Sequence, residues 1–211
     1  MSFIMRWVVI GLAVFLLGGC DTLTSIHQIG QPATEEQAKA LEGQWRGSGN
    51  DPQQVFTIKH MKANELCAAG LEWNDKEGRF EMKQQTFFLT TEQDVLYVNM
   101  AESTEDGKPK PGQPRYLFVR LATASHGAAL VLYPPNSDVF VKAIETGALK
   151  GTVAEPLQGQ YGKIITIEAA QEQWDQFIDP LKVAEQFDVN HPVVLIRQSK
   201  PDKNENGVEK Q

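Results

Sequence analysis

The side chains able to do chemistry are few and scattered along this 211-residue chain, which has four histidines and two cysteines. His27, His60, His126 and His191 nowhere stand at metal-ligand spacing, so no transition-metal cage is expected. His126 follows Ser125, a pairing that hints at a nucleophile and its base. Adjacent side chains rarely meet usefully, however, and no Gly-x-Ser-x-Gly elbow supports them. Glu168, Glu172, Asp175 and Asp179 offer carboxylate pairs of the kind glycoside hydrolysis uses, provided two converge in a cleft. On an exposed helix face they are simply solvated. Arg46-Gly47-Ser48-Gly49-Asn50 is glycine-rich but lacks the Lys-Ser/Thr pair and following helix of a phosphate cradle. Cys67, flanked by Leu66, Ala68 and Ala69, reads as a buried, inert thiol, and no Cys-x-x-Cys occurs. The expectation is no catalytic residue, no cofactor and no metal.

Charge narrows the partners. The net charge is −7 with a pI near 5.2. Arg6 is the one charge in the first nineteen residues, so the chain from Cys20 onward carries nineteen bases against twenty-seven acids, a net of −8. That excess of acid argues against nucleic-acid binding, which wants basic patches. One stretch runs the other way: Gly107–Arg115 (GKPKPGQPR) holds three prolines and the cations Lys108, Lys110 and Arg115. Prolines keep such a loop extended and partly stiff. It reads as an interaction loop for a protein partner or anionic headgroups, or as a solvated connection.

The N-terminus carries an address. Arg6 precedes an uninterrupted apolar run from Trp7 to Gly19, thirteen residues against the twenty or so that span a bilayer. A short basic region, a short apolar region and a small-residue end describe a secretory signal. The run closes with Leu17-Gly18-Gly19-Cys20, which resembles the lipobox of bacterial lipoprotein precursors. That resemblance implies removal of residues 1–19 and acylation of Cys20, giving a lipid-anchored protein that faces the periplasm. Two or three acyl chains anchor stably where one does not. An Asp directly after the acylated cysteine, here Asp21, implies retention at the inner membrane, with the outer membrane as the alternative.

The elements that must position everything else follow. Residues 20–33 read as a lipidated tether. Thr34 and Gln37 mark a capping box for a short helix ending near Leu41. From Gly43 the period changes to two: Val55–His60, Leu66–Trp73, Phe80–Thr90, Asp94–Ala101, Arg115–Thr123 and Ala128–Pro134, separated by turn residues. Helical stripes at 136–146 and 171–186, the latter broken by Pro180, alternate with strands at 149–153, 163–169 and 193–198. The fold class is mainly β with some α: an antiparallel meander forming a barrel or sandwich, with two short helices in its C-terminal half. Residues 34–198 make one β-rich domain, and the polar tail 199–211 is expected to be disordered. Its core should hold Trp45, Phe56, Ile58, Leu96, Phe118, Leu130, Phe140, Trp174, Phe177 and Leu195.

Gly43-Gln44-Trp45 opens the first strand just after the short helix. This resembles the Gly-x-Trp signature of lipocalins and related calycin barrels. The resemblance implies that Gly43 and Trp45 close one barrel end and that an apolar ligand can sit inside. Small residues at Ala68, Gly70 and Ala128 would leave room for one. Three roles therefore stand: a non-catalytic binding or accessory module meeting an envelope protein, a carrier of an apolar small molecule, or, last, a hydrolase.

Overall fold

A computed structural model describes residues 21–48, 55–75, 77–102, 112, 114–155 and 162–198. The expectations for residues 1–20, Gly49–Asn50, Lys108, Lys110 and the tail 199–211 lie outside these residues. The elements in chain order are β1 (Thr22–Ser25), β2 (Gln31–Pro32), α1 (Glu35–Lys39), β3 (Gly43–Gly47), β4 (Val55–Lys62) and β5 (Glu65–Asn74). Then come β6 (Arg79–Glu92), β7 (Val95–Ala101), β8 (Tyr116–Ala124), β9 (Ala129–Tyr133), α2 (Ser137–Glu145), β10 (Gly151–Ala154), β11 (Ile164–Ile167), α3 (Gln171–Phe177), α4 (Val183–Gln186) and β12 (Val193–Arg197).

Eight of the strands close on themselves. β3 to β9 form a meander, β12 pairs with β9 and also with β3, and every one of these pairings is antiparallel. The result is a closed eight-stranded β-barrel, consistent with a lipocalin-like barrel. Alternation sends every second side chain inward. Trp45, Phe56, Ile58, Leu66, Ala68, Phe87, Leu89, Val98, Met100, Val119, Leu121, Leu130, Leu132 and Leu195 form one interior cluster. α1 covers one end, contributing Ala38, while Ala33 and Leu41 join from the segments before and after it. Its capping box is present: the Gln37 N–H donates to Thr34 Oγ1 (3.2 Å), and the Thr34 N–H donates to Gln37 Oε1 (2.9 Å).

The core is not single. A second cluster lies outside the barrel wall, where the outward residues Tyr97 and Phe118 meet Phe140, Trp174, Ile178, Val183 and Phe187. Phe140 sits at its centre, with ring centroids 5.3–6.2 Å from Phe118, Trp174, Phe177 and Phe187. Burial on both faces explains why β7 and β8 read as near-continuous apolar runs. Leu96 and Phe177 are only partly buried, packed against the inner and outer clusters respectively.

Residues 21–33 correct the reading of a tether. β1 pairs in parallel with β11 and touches β8 at Ser25, and Leu23, Thr24, Ser25 and Ile29 are buried. Ile29 is held by Asn99, whose Oδ1 accepts from the Ile29 N–H at 2.8 Å. Asn99 Nδ2 donates to Thr90 Oγ1 at 2.8 Å, and the Thr90 hydroxyl donates to the Ile29 carbonyl. Gly30 follows at φ +78, where a Cβ would stand 2.7 Å from the Thr91 carbonyl oxygen. Only glycine fits so close to β6. The partners lie some 70 and 140 positions away, so no local pattern reveals this docking.

Candidate functional site

Three places bring sequence-distant polar groups together. The first is the barrel end under α1. Trp45 Nε1 donates to the Leu41 carbonyl at 2.9 Å, which keeps the buried indole satisfied. Arg197 lies 4.4 Å over the Trp45 ring. Its guanidinium donates to the carbonyls of Glu42 (2.5 Å) and Ala40 (2.6 Å), and its Nε to Gly127 (3.0 Å). Gly43 has φ +142, and a Cβ there would come within 3.0 Å of an Arg197 nitrogen. Gly43 and Trp45 thus stand beside the clasp that joins the first and last barrel strands to the helix end. Arg197 was missed in the sequence, although a cation continuing the inward series Val193, Leu195 was the available signal.

The second is the opposite end, where β5 and β6 run past their neighbours. Glu81 pairs with Lys83 at 2.9 Å and with Arg79 at 3.6 Å. Glu72 stands opposite Glu81, and burial pushes its carboxyl above the usual range. Gln85 donates to the Thr86 carbonyl at 2.9 Å. These charges occupy the face continuous with the barrel interior.

The third joins the barrel to the outer layer. Gln171 Nε2 donates to Glu92 Oε2 at 2.9 Å and to Asp175 Oδ1 at 2.6 Å. Burial raises the Glu92 carboxyl, and the Asp175 charge adds to it. The Tyr97 hydroxyl is fully enclosed and pushed upward by burial. The neighbouring Arg120 stacks 4.9 Å over Tyr133. Asp175 therefore faces Glu92, not the acids expected beside it: Glu168 pairs with Lys150 and Asp179 with Lys182. Two carboxyls bridged by one amide hold the layer to the barrel.

The remaining sequence candidates stay apart. Asp21 Oδ1 accepts the Lys163 N–H at 2.7 Å, fixing the start of β11. Arg115 is exposed, and its carbonyl accepts from the Glu102 N–H at the loop's neck. Cys67 is half-buried on the outward face of β5, its thiol pushed up by burial. Ser125 and His126 both occupy left-handed turn geometry. Ala128 lies in that same turn, outside the strands, so it frees no interior space. Among the described residues no group of three His, Cys, Asp or Glu could hold a metal ion, and no helix is long and apolar enough to cross a membrane.

No protein-family model matches the chain, and no curated protein or solved structure shows significant similarity to it.

Proposed function

We propose that the protein is a lipoprotein of the bacterial envelope, acylated at Cys20, whose barrel is a non-catalytic binding or accessory module facing the periplasm. The observation that carries this reading is the apolar run Trp7–Gly19 ending in Leu17-Gly18-Gly19-Cys20. Asp21 favours the inner membrane, and its bond to Lys163 gives it a structural role besides. An envelope protein is the favoured partner over an apolar cargo. The barrel interior carries bulky buried side chains, Trp45, Phe56, Leu66, Phe87 and Leu89 among them, which supports a filled core over a ligand chamber.

Mass spectrometry of the mature chain tests this reading. The expected N-terminus is Cys20 with acyl mass attached, and Cys20→Ala should leave unprocessed precursor. A mature chain beginning elsewhere overturns it.

A further inference from the structure

The hairpin of β5 and β6 gathers four exposed large apolar side chains on one face. Leu71 is 66% exposed, Trp73 51%, Phe80 66% and Met82 65%. They form two adjacent cross-strand pairs, Leu71 with Met82 and Trp73 with Phe80, the latter rings 5.1 Å apart. Such pairs share a face. Val55, at the described start of β4, lies on the same outward face and is 43% exposed. Along β4 the last described pair with β5 is Phe56 with Gly70, and along β7 the last with β6 is Met100 with Phe87. Among the described residues the hairpin's outer part therefore has no third strand, and a two-stranded ribbon is marginal alone in water.

Its two faces differ sharply in charge. The inward face holds Glu81 in ion pairs with Arg79 and Lys83, and Glu72 stands opposite Glu81. The outward face of β5 and β6 from Cys67 to Thr86 (Cys67, Ala69, Leu71, Trp73, Phe80, Met82, Gln84, Thr86) has no charge. The nearest charges on the outward faces of β3 and β4 are Arg46 and Lys59, both cations, neither in an ion pair among the described residues.

We propose that this face lies flat on an anionic bilayer, as a second membrane contact of the anchored protein. This inference rests on the lipid-anchor reading for its setting. Cys20 stands two residues before β1 in the sequence, so acylation there would hold the domain close to a bilayer, and the bare β5/β6 flank would be a contact separate from the one at the anchor. The body is acidic and repelled by an anionic surface, while the outward hairpin face offers uncharged, apolar side chains with Arg46 and Lys59 on the strands beside it; Glu65, next along β5, is paired with Lys62, and Asp75 stands at the hairpin turn. The arrangement is the strand counterpart of an interfacial amphipathic helix. Trp73 and Phe80 suit the interface, with the charged face left in water.

Among the described residues the buried members of both cores lie between Leu23 and Leu195, so chain 21–211 carries both cores. It also offers a clean reporter. Of its three tryptophans, Trp45 and Trp174 are fully buried and Trp73 alone is exposed. Chain 21–211 is mixed with vesicles of phosphatidylglycerol and brominated phosphatidylcholine, and tryptophan quenching and co-sedimentation are read. Quenching is expected, with partitioning falling about tenfold or more in Leu71→Ser/Met82→Ser, from the lost apolar burial. It should fall severalfold in Arg46→Gln/Lys59→Gln, with a weaker salt dependence. Circular dichroism and the emission of Trp45 and Trp174 check that the variants fold. Absence of quenching overturns the inference. So does quenching unmoved by Leu71→Ser/Met82→Ser, or concentration-dependent dimerisation that the same variant abolishes. If the mature N-terminus is not Cys20 but quenching persists, the anchor reading falls and this contact stands; the converse result removes this contact alone.

Discussion

Two flanks of one barrel have opposite fates. On β7 and β8 the outward residues Tyr97, Asn99 and Phe118 are fully buried beneath β1, α2 and α3. On β5 and β6 the outward Leu71, Trp73, Phe80 and Met82 stand in solvent. Both flanks are apolar by composition and alternate by the same period. The difference lies in what the chain sends back: residues 22–29 and 137–187 return to cover one flank, and nothing described covers the other. An outward apolar residue therefore marks a surface that needs a partner, and the partner can be the chain itself or something outside it.

The contrast is sharpest where single side chains are cut. Phe118→Ala, on the covered flank, should cost about 3–5 kcal/mol in a urea titration, because Phe140 and Trp174 lose their packing partner. A cost below 1 kcal/mol would mean the outer layer rests loosely on the barrel. Asn99→Ala should cost about 2–3 kcal/mol, since the Ile29 N–H and the Thr90 hydroxyl lose buried partners. Hydrogen exchange should then show residues 22–33 opening ahead of the barrel.

Glu92→Gln probes the junction by pH. Burial and Asp175 raise the folded-state pKa of Glu92, so the folded chain holds that proton longer than the unfolded one. Stability from this group is present at acid pH and is lost as pH rises from the ordinary Glu range through the raised pKa. The variant should melt slightly above the wild type at pH 7, with the gain vanishing near pH 4. A gain unchanged across that range would remove Glu92 as its source. Leu71→Ser/Met82→Ser should shift stability by less than about 0.5 kcal/mol, the smallest effect, because the bare flank supports no packing. A larger loss in differential calorimetry would show that this flank is covered after all.

Much of the barrel was legible. Alternation from Val55 to Pro134 located its strands within a few residues, and Gly43 and Trp45 marked its first one. The capping box at Thr34 and the break at Pro180 placed the short helices. What could not be read depends on distance along the chain. Leu23 and Ile29 look like stray apolar residues in a polar stretch, because their partners are β11 and Asn99. The Glu92–Gln171 contact spans 79 positions, and no periodicity links them. Phe80 and Met82 share a face by the alternation of that segment, but whether the face is covered depends on the rest of the chain.

β12 has a consequence for timing. Among the described residues it is the last strand to be made, and it alone fills the gap between β3 and β9. Until residues 193–197 arrive, two edges of the sheet stay unpaired and Arg197 cannot reach the carbonyls of Ala40 and Glu42. That closure joins positions more than 150 residues apart, a pairing whose entropic cost slows folding. A chain made from its N-terminus would therefore remain an open, adhesive sheet until nearly all of it has emerged. Any factor that shields unpaired strands would act in that interval, and its job would end when the seam shuts.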